Sequence, residues 1–583
     1  MIRKLSVLIA FTLFILGCQK DGPGAMLGAQ GDEAFTAYEG HFLDALWKVN
    51  PDKATGEGYH KYDSLLIIPG DKSREAILNF VKVQQDSLSR FEIKDLSELN
   101  KMDYQILQNQ LEYTNWQITM LKAWQWNPTQ YVAISTFAHI LNEHYAPLDK
   151  RLRNFYQKMA DLPAYYKEAE KQIKDPVPEL TNLAIDQLNG GLPILEKDFA
   201  DSLKKTKIPA AEQTKMTDRA KLAADAIRAH VAWLKNIKST NPRSFRLGKT
   251  LYEDKFKYEI QSAYGAQQLY NMAFERKKIV HREMAKLSRQ LWPKYYGKKA
   301  MPADSLELIA KVLDTLSATH TTAANLKPDI EKLIPKLSAF VTEKNLLTLD
   351  PTKPLLIRSN PAYFGNVAGA SLSAPGPYDK NGNSYYNIMN LVGMAPEKAE
   401  SLLREYNNYT LQILSIHEGI PGHYAQLVYA NKAPSMIKSI FGSGAMVEGW
   451  AVYGEEMMLD AGYDPSPEMR LMWYKWHLRS VCNSILDFAV HCNNMTQEGA
   501  LKFLTREAFQ QQAEADGKWK RVSVSSVQLD SYFDGYKEII DLREAYKAKV
   551  GADKYKVKEF NEKFLSYGNA PVKLIRGAML GGK

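Results

Sequence analysis

The chain has 583 residues, 45% of them hydrophobic and 11% aromatic, enough to bury a large core and far from the composition of a disordered protein. Its net charge of +9 is modest for that length, and acidic residues are interspersed throughout. A nucleic-acid partner is therefore not expected.

In chain order, Arg3 and Lys4 precede an apolar stretch from Leu5 to Leu16 that is too short to span a bilayer. It ends Ile15-Leu16-Gly17-Cys18, which resembles a bacterial lipobox. Residues 1–18 then form a lipoprotein signal peptide with Cys18 lipidated, and 19–31 a flexible tether. Gln19 after the cysteine argues against retention at the inner membrane, so a cell-envelope lipoprotein on the outer membrane is expected, on its periplasmic or surface face. An ordinary secretory signal is the alternative, and it too places the protein outside the cytoplasm.

From residue 32 the pattern is helical. Phe35, Tyr38, Phe42 and Leu46 recur at three and four, and Leu269, Met272, Ile279, Leu287 and Leu291 mark a longer apolar face. Residues 209–237 and 471–493 follow the same rule. Breaks are expected at Pro176-Val177-Pro178, Gly190-Gly191, Asn241-Pro242 and Asp350-Pro351. No internal repeat of solenoid length occurs. Cys482 and Cys492 lie ten apart in one helical run, ~15 Å along its axis, whereas a disulfide needs Cα atoms within roughly 7 Å. Two free thiols are expected.

Residues 354–392 differ, with Pro361, Gly365, Gly369, Pro375-Gly376-Pro377 and Asn381-Gly382-Asn383. Alternation from Ser384 to Leu391 then predicts a short strand after a tight turn. Placed at a sheet edge, it could pair with an extended peptide, with Asn387 as a candidate substrate contact. A small structural sheet is the alternative.

The chemistry concentrates in residues 417–456: His417-Glu418-Gly419-Ile420-Pro421-Gly422-His423, then Glu448-Gly449-Trp450-Ala451-Val452-Tyr453-Gly454-Glu455-Glu456. Histidines and a carboxylate are ligands that Zn2+ takes, and a glutamate beside the first histidine can act as general base towards water. The spacing is irregular, because H-E-x-x-H puts both histidines on one helical face. Six positions on a regular helix turn the second imidazole by ~120° and move it ~9 Å. Gly419, Pro421 and Gly422 fall in the extra residues, and such residues break a helix. The backbone between Glu418 and His423 is therefore predicted to leave α-helical geometry. Glu448 is the expected third ligand. Glu455, seven residues on, is an alternative ligand or a partner that orients a histidine; Glu456 reads as a solvated position. Arg543 and Arg479 are candidates to grip a substrate carboxylate in a bidentate pair. Weaker signals are His139 and His144, five apart with nothing to relieve the mismatch, and Ser435-Met436-Ile437-Lys438, which lacks the partner motif of β-lactamase-like enzymes.

With Asn50 to Asp63, Lys558 to Pro571 and the two central motifs, the chain resembles the domain-of-unknown-function 885 family, bacterial proteins similar to gluzincin metallopeptidases. The resemblance implies a mainly α fold for residues 32–583: a two-lobed helical clamp with a small β-sheet near the active site. It also implies a tyrosine that stabilises the oxyanion, with Tyr532 favoured and Tyr536 second, and it aligns Arg479, Asp487 and His491 with family positions. The expected function is a zinc-dependent metallohydrolase of short peptides, a carboxypeptidase or oligopeptidase. A non-catalytic zinc-containing binding module anchored by lipid, or a hydrolase of a non-peptide amide, are the alternatives. Oligomeric state is left open.

Overall fold

Apolar spacing becomes buried faces wherever one side of a helix meets solvent. In the computed structural model, which describes residues 31–581 except 238, 240–241, 361–368, 380–381 and 434, Phe35, Tyr38 and Phe42 form the buried stripe of helix Asp32–Val49. Leu269 and Leu291 do the same in Ala266–Tyr296, and Ala220, Ile227 and Leu234 in Ala210–Asn236. The leader, Cys18 and the tether up to residue 30 lie outside the described residues, as do Pro361, Gly365, Asn241 and Asn381. None of the described helices is long and apolar enough to cross a membrane.

The break expected at Gly190-Gly191 does not occur, because helix Pro178–Pro193 runs through both residues. Close packing explains the glycine: a Cβ on Gly191 would lie 2.3 Å from the Ile134 side chain. Two apolar clusters fill the interior. The larger joins Phe35 and Trp47 to Leu269, Trp450, Ile485 and Phe564. The smaller is built from the segment between Tyr131 and Leu234, with Leu66.

Helix Pro467–Cys492 is the central beam. It is buried on almost every face, so it shows little of the polar–apolar alternation of a surface helix. It packs against Ala266–Tyr296 and against Asp530–Val550, which also crosses helix Gly444–Asp460. Cys482 and Cys492 on the beam are free thiols.

Among the described residues, three short strands form one sheet: β1 (Leu355–Ser359), β2 (Ala370–Ser373) and β3 (Ser384–Ile388), in the order β1-β3-β2. β3 pairs parallel with β1 and antiparallel with β2. The strand expected from Ser384 therefore exists, but it is central and not an edge. Its Asn387 is fully buried, accepts from Arg358 Nε at 2.7 Å and donates to Ser373 Oγ at 2.8 Å. That side chain ties the three strands together.

Candidate metal centre

Helix Asn408–Glu418, capped by Asn407, delivers His417 and Glu418 in its last turn. The chain then leaves helical geometry for four residues and re-enters at His423, the first residue of helix His423–Ala430. Ile420-Pro421 is a cis peptide. Pro421 O accepts from Trp450 Nε1 at 2.9 Å, fixing the turn to the helix that carries Glu448. Gly422 is required by a close approach, since a Cβ there would sit 1.9 Å from His417 O. The break re-aims the second histidine: the two imidazole centroids are 4.7 Å apart at 82°.

Helix Gly444–Asp460 brings Glu448 between them. Its Oε2 lies 3.2 Å from His423 Nε2 and 3.6 Å from His417 Nε2. The three ligand atoms fall within 4.8 Å of one another, and among the described residues this is the group placed to hold a metal ion. One turn pair further on, the fully buried Glu455 accepts from His417 Nδ1 at 2.7 Å and from Trp476 Nε1 at 3.0 Å. With Nδ1–H committed to Glu455, His417 turns Nε2 towards a second carboxylate, that of Glu448. That arrangement calls for a cation between them. Burial opposes a charged imidazole, yet Glu448 and Glu455 override it and hold His417 protonated up to about 10; a divalent cation would take the place of that proton. The donor set of two imidazoles and one carboxylate suits zinc.

Glu418 is 7% exposed, and its Oε2 has no hydrogen-bond partner among the described residues. It lines, with His417, a cavity of about 50 Å³ whose other walls include Ala370, the first residue of β2, Gly369 before it, Arg479 and Tyr532. Tyr532, in the first turn of Asp530–Val550, stands with its ring 6.3 Å from that of His417. Arg521 Nη2 donates to Tyr532 Oη at 2.8 Å. Burial pushes the phenol above its usual range, with Arg521 opposing, so it stays protonated at neutral pH. Because Arg521 occupies an acceptor position, the phenolic hydrogen is free to point into the cavity.

The other candidates are placed differently. Tyr536, one turn beyond Tyr532, donates to Glu456 Oε2 at 2.9 Å, and Arg276 contacts it at 3.3 Å; it does not line the cavity. Glu456, read as solvated, is instead half-buried against that phenol. Arg543 pairs with its neighbour Glu544 at 2.9 Å beside the Tyr453 ring, also away from the cavity. Arg479 does line it, paired with Glu514 at 2.5 Å. Asp487 accepts from the backbone of Val527 and Leu529 at 2.9 and 3.2 Å, and His491 Nε2 meets the carbonyls of Val522 and Ser525 at 3.0 Å. The aligned pair thus pins the loop that presents Tyr532. His139 belongs to no metal-holding group among the described residues, and Lys438 is consumed by Asp103 at 2.6 Å. Trp476, Lys518 and Arg521 at the site went unnoticed in the sequence. The last two sit in a charged helix, Gln512–Val524, that reads as surface.

The chain matches the family described as bacterial protein of unknown function, DUF885, over residues 51–579, and belongs to it. A solved structure of a candidate lipoprotein of unknown function from Shewanella oneidensis is 47% identical, with a TM-score of 0.82 over 94% of this chain and 99% of that one. A candidate lipoprotein from Colwellia psychrerythraea shares the fold at 15% identity, with a TM-score of 0.77 over 94% and 98% of the two chains. No curated protein matches the chain.

Proposed function

We propose that this member of the DUF885 family is a zinc-dependent peptidase of short peptides. The observation that carries the reading is the convergence of His417, His423 and Glu448 beside a buried Glu418 oxygen with no partner among the described residues. A zinc ion held by those three residues would supply Lewis acidity and make water a nucleophile at neutral pH. Glu418 takes the water proton and passes it to the leaving amine. Tyr532 donates its phenolic hydrogen to the oxyanion, and Arg521 steadies the phenol. Glu455 fixes the tautomer and orientation of His417. An extended peptide would lie along the outer edge of β2, since Gly369 and Ala370 share the cavity wall with Glu418 and β3 is already paired on both sides. The smaller apolar cluster and the larger one are the two lobes of a helical clamp in this reading. Both solved relatives are described as candidate lipoproteins, which supports a lipid anchor at Cys18 and a place in the cell envelope.

The test is the Glu418→Gln variant, assayed for zinc by mass spectrometry and for hydrolysis on a peptide library. Retained zinc with hydrolysis lowered about 10²–10⁴-fold is expected of a lost general base. Full activity in that variant would sink the assignment.

A further inference from the structure

The cavity beside Glu418 has a second, cationic wall, of which hydrolysis as proposed uses only the Arg521 nitrogen that holds Tyr532. Helix Gln512–Val524 brings Lys518 and Arg521 to it, and helix Pro467–Cys492 brings Arg479. Arg479 pairs with Glu514 through one nitrogen, while its buried Nε has no partner among the described residues, and one nitrogen of Arg521 is taken by Tyr532 and Gln528. Lys518 is different. It is 3% exposed, yet its ammonium makes no hydrogen bond or ion pair with any described residue. Burial, and then the charge of Arg479, push it well below its usual range, with Glu514 offsetting only part of that. An ammonium withdrawn from water without a partner is costly, and an incoming anion removes the cost.

The size of the space and its place beside Glu418 bear on which anion. About 50 Å³ holds on the order of three to five waters. That is room for a carboxylate group beside Lys518, in the same cavity that Glu418 lines. Tyr406, Leu414 and Trp476 also line it.

Resting on the peptidase reading above, we infer that Lys518 and Arg521 receive the free C-terminal carboxylate of the substrate, so that the protein removes residues from the C-terminus. One water is consumed and one C–N bond breaks. The water oxygen stays on the new carboxylate of the shortened peptide, and the proton reaches the departing amine through Glu418.

Three probes test it on the zinc-supplemented full chain: Ala-Ala-Ala, its C-terminal amide, and Ala-Ala-Glu amide, whose one carboxylate is on the side chain. Calorimetry in the Glu418→Gln background measures binding without turnover, and the wild type reports hydrolysis. The free acid should bind about tenfold or more tighter than the amide, the worth of one charge-assisted hydrogen bond. Adding Lys518→Met should erase that preference and leave the amide unaffected, while Lys518→Arg should restore part of it. Equal binding of acid and amide overturns the inference, and hydrolysis of the amide by the wild type would then leave the peptidase reading standing. An acid preference with no hydrolysis of any probe supports the carboxylate site and overturns the peptidase reading instead. Ala-Ala-Glu amide binding as tightly as the free acid overturns the terminal assignment, as does no binding of any probe. If Lys518→Met fails to fold, the acid-to-amide ratio in the Glu418→Gln protein decides alone.

Discussion

Under the proposed zinc chemistry, Glu455 would act on the site through His417 and not as a ligand. Its spacing from Glu448 puts it on the same helical face, which the sequence reveals, but not whether it ligates or orients. The structure assigns it to His417 Nδ1 and Trp476 Nε1, fully buried between them. Outer partners of this kind typically change metal affinity by about 10–100-fold. Glu455→Gln should therefore bind zinc about that much more weakly, read by competition with a chromophoric chelator, while far-UV dichroism stays that of the wild type. Unchanged affinity would return Glu455 to a packing role. Trp476 could not have been found in advance, because a tryptophan in a helix buried on all faces carries no signal that its indole N–H serves a carboxylate. Lys518 and Arg521 were hidden for the opposite reason: in sequence, a buried cation looks like a solvated one.

At the scale of elements, the broken helix was legible and the crossing of helices was not. Gly419, Pro421 and Gly422 announce a departure from helical geometry through local backbone chemistry alone, and the chain does depart there. The order β1-β3-β2 depends on which strands the crossover brings together, which no local pattern encodes, so a central strand looked like an edge. Likewise, nothing local marks Gly449 and Gly535 as partners. A Cβ on Gly535 would lie 1.7 Å from Ala445 O, and one on Gly449 2.2 Å from the carbonyl carbon of Gly535. These glycines let the helix carrying Glu448 cross directly against the helix carrying Tyr532. Overpacking such a contact costs about 1–3 kcal/mol and sometimes more. Gly535→Ala should lower the melting temperature and also depress kcat/KM by separating Tyr532 from the metal ligands. A variant that is destabilised but fully active would show that the crossing sets stability and not site geometry.

The whole molecule is latched at its N-terminal end by a buried charge cluster that no periodicity predicts. Helix Asp32–Val49 contributes Glu39, helix Glu98–Trp116 contributes Asp103, and Lys438 comes from the short helix Met436–Ile440 between the second histidine and Glu448. Lys438 Nζ pairs with Asp103 Oδ2 at 2.6 Å, both fully buried, and also donates to Leu99 O at 3.0 Å. Two carboxyls share one ammonium, so the cluster is neutral only while one carboxyl keeps its proton. Burial, followed by the charge of Asp103, pushes Glu39 up to about 8, and its Oε1 has no hydrogen-bond partner among the described residues. In the unfolded chain the same group titrates near the ordinary glutamate value of about 4.3. Folding therefore takes up a proton between those two values. The stability this protonation secures is complete at pH 4 and declines as pH rises through about 8, above which the full cost of a buried second carboxylate is felt. Glu39→Gln keeps the shape and removes the titration. Melting temperatures of the two proteins should nearly coincide at pH 5 and diverge by pH 9 with the variant higher, by about 1–2 °C for each kcal/mol in a chain of this length. Curves that run parallel from pH 5 to 9 would mean that Glu39 ionises freely in the folded protein. The latch would then be the Lys438–Asp103 pair alone.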